Sequence, residues 1–270
     1  MTAISLVISD VDGTLVTPDK QVTPASVRAA RLLSERGIGF TVVTARPPAG
    51  LRMLVEPLSL RLPMGAFSGS AIVEPDLAII EEHTVPETAA RRSAAMLAEA
   101  GVDVWLYTPD GWLVRSPDDH YIPKEQRTIL EDPVIVPDFE PHFAKVFKVV
   151  GSSRDHPRLA QCEAAIRDAV DGHASVARSQ LYYLDVTPPG RDKGTFLDAV
   201  SQRLAIPPAK IAVLGDMTND LAMFRKAGMS VAMGNASAEV KGAATYETAA
   251  NTDEGFAKAI EEYVLGTQSL

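Results

Sequence analysis

Ile4-Ser5-Leu6-Val7-Ile8-Ser9-Asp10-Val11-Asp12-Gly13-Thr14-Leu15 is the stretch whose reading decides the fold. It begins as an apolar run of the kind that fills a parallel strand buried on both faces. The run stops at a carboxylate, skips one residue, gives a second carboxylate and breaks at glycine. Side chains two apart in an extended segment point the same way, so Asp10 and Asp12 are expected to face one site past the strand's end. In open α/β sheets that carboxyl edge is where ligands bind. Two acids aimed at one spot repel each other, and a hard divalent cation is the usual remedy. A calcium loop is excluded, because it needs glycine at its sixth position and Gly13 comes too early.

Outward from this stretch the same pattern recurs. Thr23-Pro24 reads as a helix start, a capping hydroxyl followed by proline at the first helical position. Val27, Ala30 and Leu33 form its buried stripe, and Gly37 ends it. Ile38 to Val43 is a second buried strand that terminates in Thr44-Ala45-Arg46. Right-handed βαβ connection puts both strand ends on one edge, so Thr44 is expected beside Asp10. Met64 to Phe67 reads as a short third strand ending in Ser68-Gly69-Ser70, with a hairpin to follow. Near the other end, Ile211 to Leu214 is a buried strand that runs into Gly215-Asp216-Met217-Thr218-Asn219-Asp220. Met229 to Met233 is the next strand, and Arg191-Asp192-Lys193-Gly194 opens a helix.

Between these blocks the pattern changes. Helical stretches alternate with runs such as Val102 to Tyr107, Val146 to Val150 and Leu181 to Val186. Several of these alternate apolar and polar residues, as half-exposed antiparallel strands do. Trp105 and Trp112 are expected to pack inside this unit. Residues 84–187 therefore read as a separate α+β domain inserted into a doubly wound, mainly parallel α/β core made of 1–83 and 188–270, with Pro188-Pro189-Gly190 as exit linker.

Composition narrows the function. In 270 residues, 46% are hydrophobic and 23% charged, an ordinary soluble balance. A net charge of −9 leaves no basic footprint for nucleic acid or an anionic membrane. The single Cys162 excludes an internal disulfide and fits a reducing compartment. With no apolar segment approaching ~18 residues, the protein is expected to be cytoplasmic. No histidine pair has metal-ligand spacing and no serine lies in a G-x-S-x-G setting, so zinc and serine-type hydrolysis find no support.

If the first strand lies between the second and the later ones, it is a topological switch point at which Asp10, Asp12, Thr44, Lys193 and Asp216 to Asp220 converge. Three carboxylates, a lysine and a hydroxyl are the inventory of Mg²⁺-assisted phosphoryl transfer. Acids hold the metal, metal and lysine balance the phosphate dianion, and the hydroxyl and backbone N–H groups bind its oxygens.

With these motifs in this order, the sequence resembles the haloacid dehalogenase-like phosphohydrolases, and within them the Cof-like branch, whose core is Rossmann-like. Asp10-Val11-Asp12-Gly13-Thr14 matches the first motif of that family and Val42-Val43-Thr44 the second. Lys193-Gly194 matches the third, and Gly215-Asp216-Met217-Thr218-Asn219-Asp220 the fourth. The large insertion corresponds to the family's cap. The resemblance implies that Asp10 is the nucleophile, forming an aspartyl-phosphate, and that Asp12 is the general acid/base. It implies Mg²⁺ bound by Asp10, the Asp12 backbone carbonyl and Asp216, with Asp220 in support. Val11, Ala45, Thr44, Lys193 and Asn219 would hold the phosphate, and Arg46, Ser68 and Gly69 would border the substrate. One departure stands out, Thr44-Ala45-Arg46 where the branch usually has glycine in the middle.

The implied activity is hydrolysis of a small phosphorylated metabolite, a sugar phosphate foremost. The rivals are a phosphomutase, a phospho-acceptor signalling domain and a catalytically silent binding protein. A receiver is about half this length and lacks the insertion; a silent protein would not keep every motif. A mutase needs a second phosphate cradle of clustered Arg and Lys; around Arg178, Lys145 and Lys148 the sequence shows none. Among cap residues, Lys148, Arg178 and Tyr183 are candidates for setting specificity.

Overall fold

The computed structural model describes residues 3–266. Strand β1 (Leu6–Ser9) is fully buried and feeds the Asp10–Thr14 turn. Helix α1 (Pro24–Glu35) starts where expected, with the Thr23 side chain accepting from the Ser26 N–H and Pro24 in the first turn. Next come β2 (Gly39–Val42), a 3₁₀ turn at Pro48–Leu51 and the one-turn helix α2 (Arg52–Val55). Strands β3 (Met64–Ala66), β4 (Ala71–Val73) and β5 (Ile79–Glu82) form a small antiparallel sheet of their own. The expected third strand thus joins this side sheet, and a single parallel bridge, Val43 to Gly65, ties it to the end of β2.

The middle of the chain carries α3 (Glu87–Glu99), β6 (Asp103–Thr108), β7 (Gly111–Val114), α4 (Ile122–Ile129) and β8 (Val134–Ile135). Then follow β9 (Lys148–Ser152), α5 (His156–Val170), β10 (Ser175–Gln180) and β11 (Tyr183–Thr187). These strands make one sheet in the order β10-β11-β9-β6-β7-β8. Its two faces differ because side chains alternate along each strand. Leu106, Val149, Leu184 and Val186 pack in the cluster formed with α3 and α5. Trp105, Tyr107, Val150 and Tyr183 point the other way, into a hydrophobic cluster shared with the core. Phe67, at the end of β3, stacks on Phe147 with ring centroids 5.5 Å apart. Both tryptophans are 1% exposed and meet edge to face, packing as expected.

The chain returns through α6 (Lys193–Leu204), β12 (Ile211–Gly215), α7 (Leu221–Phe224), β13 (Met229–Ala232), α8 (Ala238–Ala243), β14 (Tyr246–Glu247) and α9 (Gly255–Ala259). The core sheet is all parallel in the order β14-β13-β12-β1-β2, so β1 pairs with β2 on one side and β12 on the other. That is the switch point expected from the sequence, and the loops after β1, β2 and β12 open onto one edge.

Candidate active site

Asp10 leaves β1 with its N–H donated to the Leu214 carbonyl, which holds the start of the turn against β12. The turn then winds on the Val11 carbonyl, which accepts from the N–H groups of Leu15 and Val16 at 3.0 and 3.1 Å. Gly13 sits at φ +90°, and a Cβ there would lie 2.3 Å from Asp216 Oδ2. The loop needs glycine on both counts. Gly215 answers it from β12, where a Cβ would stand 2.4 Å from Asp220 Cγ.

One end of the cleft is acidic. Oxygen atoms of Asp10, Asp216 and Asp220 lie within 4.8 Å of one another, all three side chains buried. The Lys193 ammonium, itself 1% exposed, sits between Asp10 Oδ1 at 2.5 Å and Asp220 Oδ1 at 2.6 Å. Helix α6 places it: Asp192 caps the helix in a reciprocal box with Thr195, and Lys193 is the first helical residue. Asp220 Oδ2 accepts from the N–H groups of Asp216 and Met217, both at 2.9 Å. Its two oxygens are thus committed to the loop and to Lys193, so Asp220 shapes the site. Asp216 is oriented by Thr14 Oγ1 and Asn235 Nδ2, each 3.2 Å away, and Asn235 also donates to the Gly13 carbonyl. Burial, with the charge of Asp220 beside it, pushes Asp10 up to about 7 despite Lys193. Burial and then the charges of Asp10 and Asp220 raise Asp216 to about 8. For Lys193 burial works against the charge, but Asp10 and Asp220 outweigh it and hold the ammonium above its usual range. This is a donor set of hard oxygens, short of positive charge, and it fits a divalent cation.

The other end is reversed. Asp12 receives a bidentate pair from Arg46, Nε to Oδ2 at 2.7 Å and Nη2 to Oδ1 at 2.8 Å, and Lys20 also contacts Oδ1. Burial would raise this carboxyl, but Arg46 and then Lys20 hold it well below the carboxylate range. Arg46 is 3% exposed and its Nη1 donates to the carbonyls of Gly50 and Thr128. Thr128 lies on α4, so this one guanidinium joins the turn after β1 to the inserted segment. Lys148 on β9 does likewise, donating to the Ala45 carbonyl at 2.9 Å and facing Asp185 at 3.4 Å.

Asp10, Asp12, Thr44, Ala45, Arg46, Lys193 and Asn219 all line one cleft. Thr44 Oγ1 accepts from the Arg46 N–H, which leaves its own hydrogen to donate. The Asn219 side-chain oxygen is buried without a hydrogen-bond partner among the described residues, and a half-turn of that amide presents its nitrogen to an oxyanion. Ser68 borders an adjoining recess that also touches Asp185, Lys193 and Asn219. Gly69 does neither; at φ +93° it packs on the Asp192 carbonyl and Phe196. From the inserted segment, Lys148 and Tyr183 reach the cleft, whereas Arg178 pairs with Glu163 at 2.8 Å away from it. Sequence reasoning missed Thr14, Lys20, Lys124, Glu125, Gln180 and Asn235.

The profile of the haloacid dehalogenase-like hydrolases matches residues 7–260. The chain belongs to that family. Among relatives of this haloacid dehalogenase-like hydrolase, a putative phosphatase of Haemophilus influenzae is 26% identical over 257 residues, covering 95% of this chain and 97% of the relative. The pyridoxal phosphate phosphatase YbhA of Escherichia coli is also 26% identical, over 95% of this chain and 97% of its own. A haloacid dehalogenase-like hydrolase from Bacteroides thetaiotaomicron superposes with a TM-score of 0.84 at 26% identity, covering 96% of this chain and 99% of that one. By family and relatives, the hydrolase is a phosphoric monoester hydrolase. No helix among the described residues is long and apolar enough to cross a membrane.

Proposed function

We propose that this chain is a Mg²⁺-dependent cytoplasmic phosphatase of small phosphorylated metabolites, sugar phosphates foremost, with residues 84–187 capping a core formed by 1–83 and 188–270. The observation that carries the reading is the opposition of two carboxylates one residue apart, Asp10 among acids and Asp12 among cations.

In this reading Asp10, Asp216 and the Asp12 backbone carbonyl hold the metal, with Asp220 behind them. The ion supplies positive charge that lets a carboxylate and a phosphate dianion approach each other. Asp10 attacks phosphorus and becomes the acyl phosphate while the ester oxygen departs. Lys193, the Thr44 hydroxyl, the Asn219 amide and backbone N–H groups of Val11 and Ala45 bind the phosphoryl oxygens. Asp12 serves the leaving oxygen as acid and then takes a proton from water as base. The clamp by Arg46 and Lys20 keeps it a carboxylate, the form a base needs. To act first as an acid it must take up a proton once an incoming dianion competes for those cations. Arg46 and Ser68 border the leaving group; Gly69 keeps only a packing role.

Asp10→Asn should abolish turnover while leaving the chain folded. Turnover in heavy-oxygen water should label the released phosphate, since water attacks the aspartyl-phosphate. A folded Asp10→Asn protein with near-normal turnover would end this reading. Isomerised sugar phosphate with little free phosphate would favour the mutase instead.

A further inference from the structure

The cleft holds more positive charge than one phosphate site uses. Lys193 is committed to Asp10 and Asp220, Arg46 to Asp12, and Lys148 to Asp185. One further ammonium is shared and another stands apart from any carboxylate. Lys20 shares an Asp12 oxygen that Arg46 already holds. Lys124 has no carboxylate within 4.0 Å among the described residues; its Nζ rests 4.0 Å over the Tyr182 ring instead. Lys124, Glu125 and Thr128 all face the cleft from α4, the first and last being one helical turn apart. Glu125 does not neutralise Lys124, for it accepts from the Tyr107 hydroxyl at 2.6 Å deeper in the cap and burial drives it toward its neutral form. Lys20 and Lys124 line the same cleft, and burial, then repulsion from Lys20, lowers the Lys124 ammonium against the pull of Asp12 and Glu125.

Through Lys20 this cluster adjoins Asp12, which in the phosphatase reading serves the leaving group. Asp12 brings one negative charge against the positive charges of Arg46, Lys20 and Lys124, so in a protein of net charge −9 this group keeps positive charge for a further anion. Neither residue is near Arg178, Lys145 or Lys148 in sequence: Lys20 is in the loop before α1 and Lys124 is on α4. We propose that Lys20 and Lys124 form a subsite for a second anionic group on the substrate's leaving portion, a carboxylate or a phosphate. Gln180, which also lines the cleft, is placed to donate to the same group. The inference rests on the phosphatase reading for the position of the first phosphate. It narrows the substrate class to phosphate esters that carry a further negative charge.

Matched esters test it. 3-Phosphoglycerate and glycerol 3-phosphate differ only in a carboxylate against a hydroxymethyl group; fructose 1,6-bisphosphate and fructose 6-phosphate differ in a second phosphate. The ratio of kcat/KM within each pair, and the ratio of Kd by calorimetry in chelator without turnover, should favour the more anionic ester in at least one pair by roughly 10- to 100-fold, the worth of a charge-assisted contact. The pair that shows it identifies the second group. Lys124→Met should bring that ratio close to one and Lys124→Arg should restore it, each with an unshifted thermal melt. A wild-type ratio near one in both pairs, or a ratio unmoved by Lys124→Met, overturns the subsite. Hydrolysis of p-nitrophenyl phosphate serves as the separate check: its absence, with the Kd preference present, sinks the phosphatase reading and leaves the anion subsite standing.

Discussion

Asp10 and Asp12 come from the same turn and share one cleft, yet the protein holds them in opposite states. Asp10 lies among Asp216 and Asp220 with one lysine between them, and burial raises it. Asp12 lies against a guanidinium and an ammonium, and they depress it. The identity of a side chain says little about its chemistry; the charges that three distant segments bring to it say most. A site built this way keeps one carboxylate short of a cation and another supplied with two, which in the proposed reading separates metal binding from proton handling across two residues of sequence.

The acidic end is the more fragile. Asp220→Ala should have the largest effect, about 3–5 kcal/mol of stability, because it leaves Lys193 buried with half its compensation and strands two N–H groups. Urea unfolding checks this, and a loss under 1 kcal/mol would mean the loop after β12 holds itself. At the other end, Arg46→Met removes a bidentate clamp from a carboxylate that keeps Lys20, so about 2–3 kcal/mol should go. The acidic limb of the pH–rate profile should also move upward as Asp12 becomes easier to protonate. An unmoved limb would show that Arg46 does not set the state of Asp12.

The third test is the gentlest and compares both ends at once. Asp10 and Asp216 have folded values of about 7 and about 8 against an ordinary 3.8, so the metal-free folded chain binds more protons than the unfolded one between these limits. Stability from these groups therefore falls as pH rises from about 4 to about 8. Asp12 has the opposite sign: its contribution is present above 3.8 and is lost as pH falls below that. Melting temperature in chelator should drop from pH 5 to pH 8, and saturating Mg²⁺ should stabilise more at pH 8 than at pH 5. A flat profile would place both carboxylates in their ordinary range.

The acidic end was legible in the sequence and the basic end only in part. Asp10, Thr44 and Asp216 each end a continuous buried run, and such runs announce a parallel sheet and its ligand edge. Lys193 was marked by a helix start. Asn235 also follows a buried strand, but a single asparagine after glycine carries no signal of what it orients. Helix α4 was missed because of its composition. Its eight residues include a proline, and its buried positions are Ile122, Glu125, Thr128 and Ile129, so half the buried stripe is polar and the usual periodicity disappears. With that helix went Lys124 and the carbonyl that Arg46 reaches. Arg178 misled in the other direction: a basic residue on a cap strand, it is held by Glu163 outside the cleft.

The position of β1 has a consequence for how the chain comes into being. Its neighbour β2 follows within about thirty residues, but β12, on its other flank, lies some two hundred residues later. During synthesis at about 5–20 residues per second, the first strand waits roughly ten seconds or more with one edge unpaired. In that interval the turn holding both aspartates lacks the Leu214 carbonyl that receives the Asp10 N–H, the Asn235 amide that grips Gly13 and the Asn251 amide that reaches the Val16 carbonyl. A nascent chain cut short before β12 has every residue of its first motif but lacks these three anchors. Final assembly of the turn after β1 is a late event, governed by the last quarter of the polypeptide.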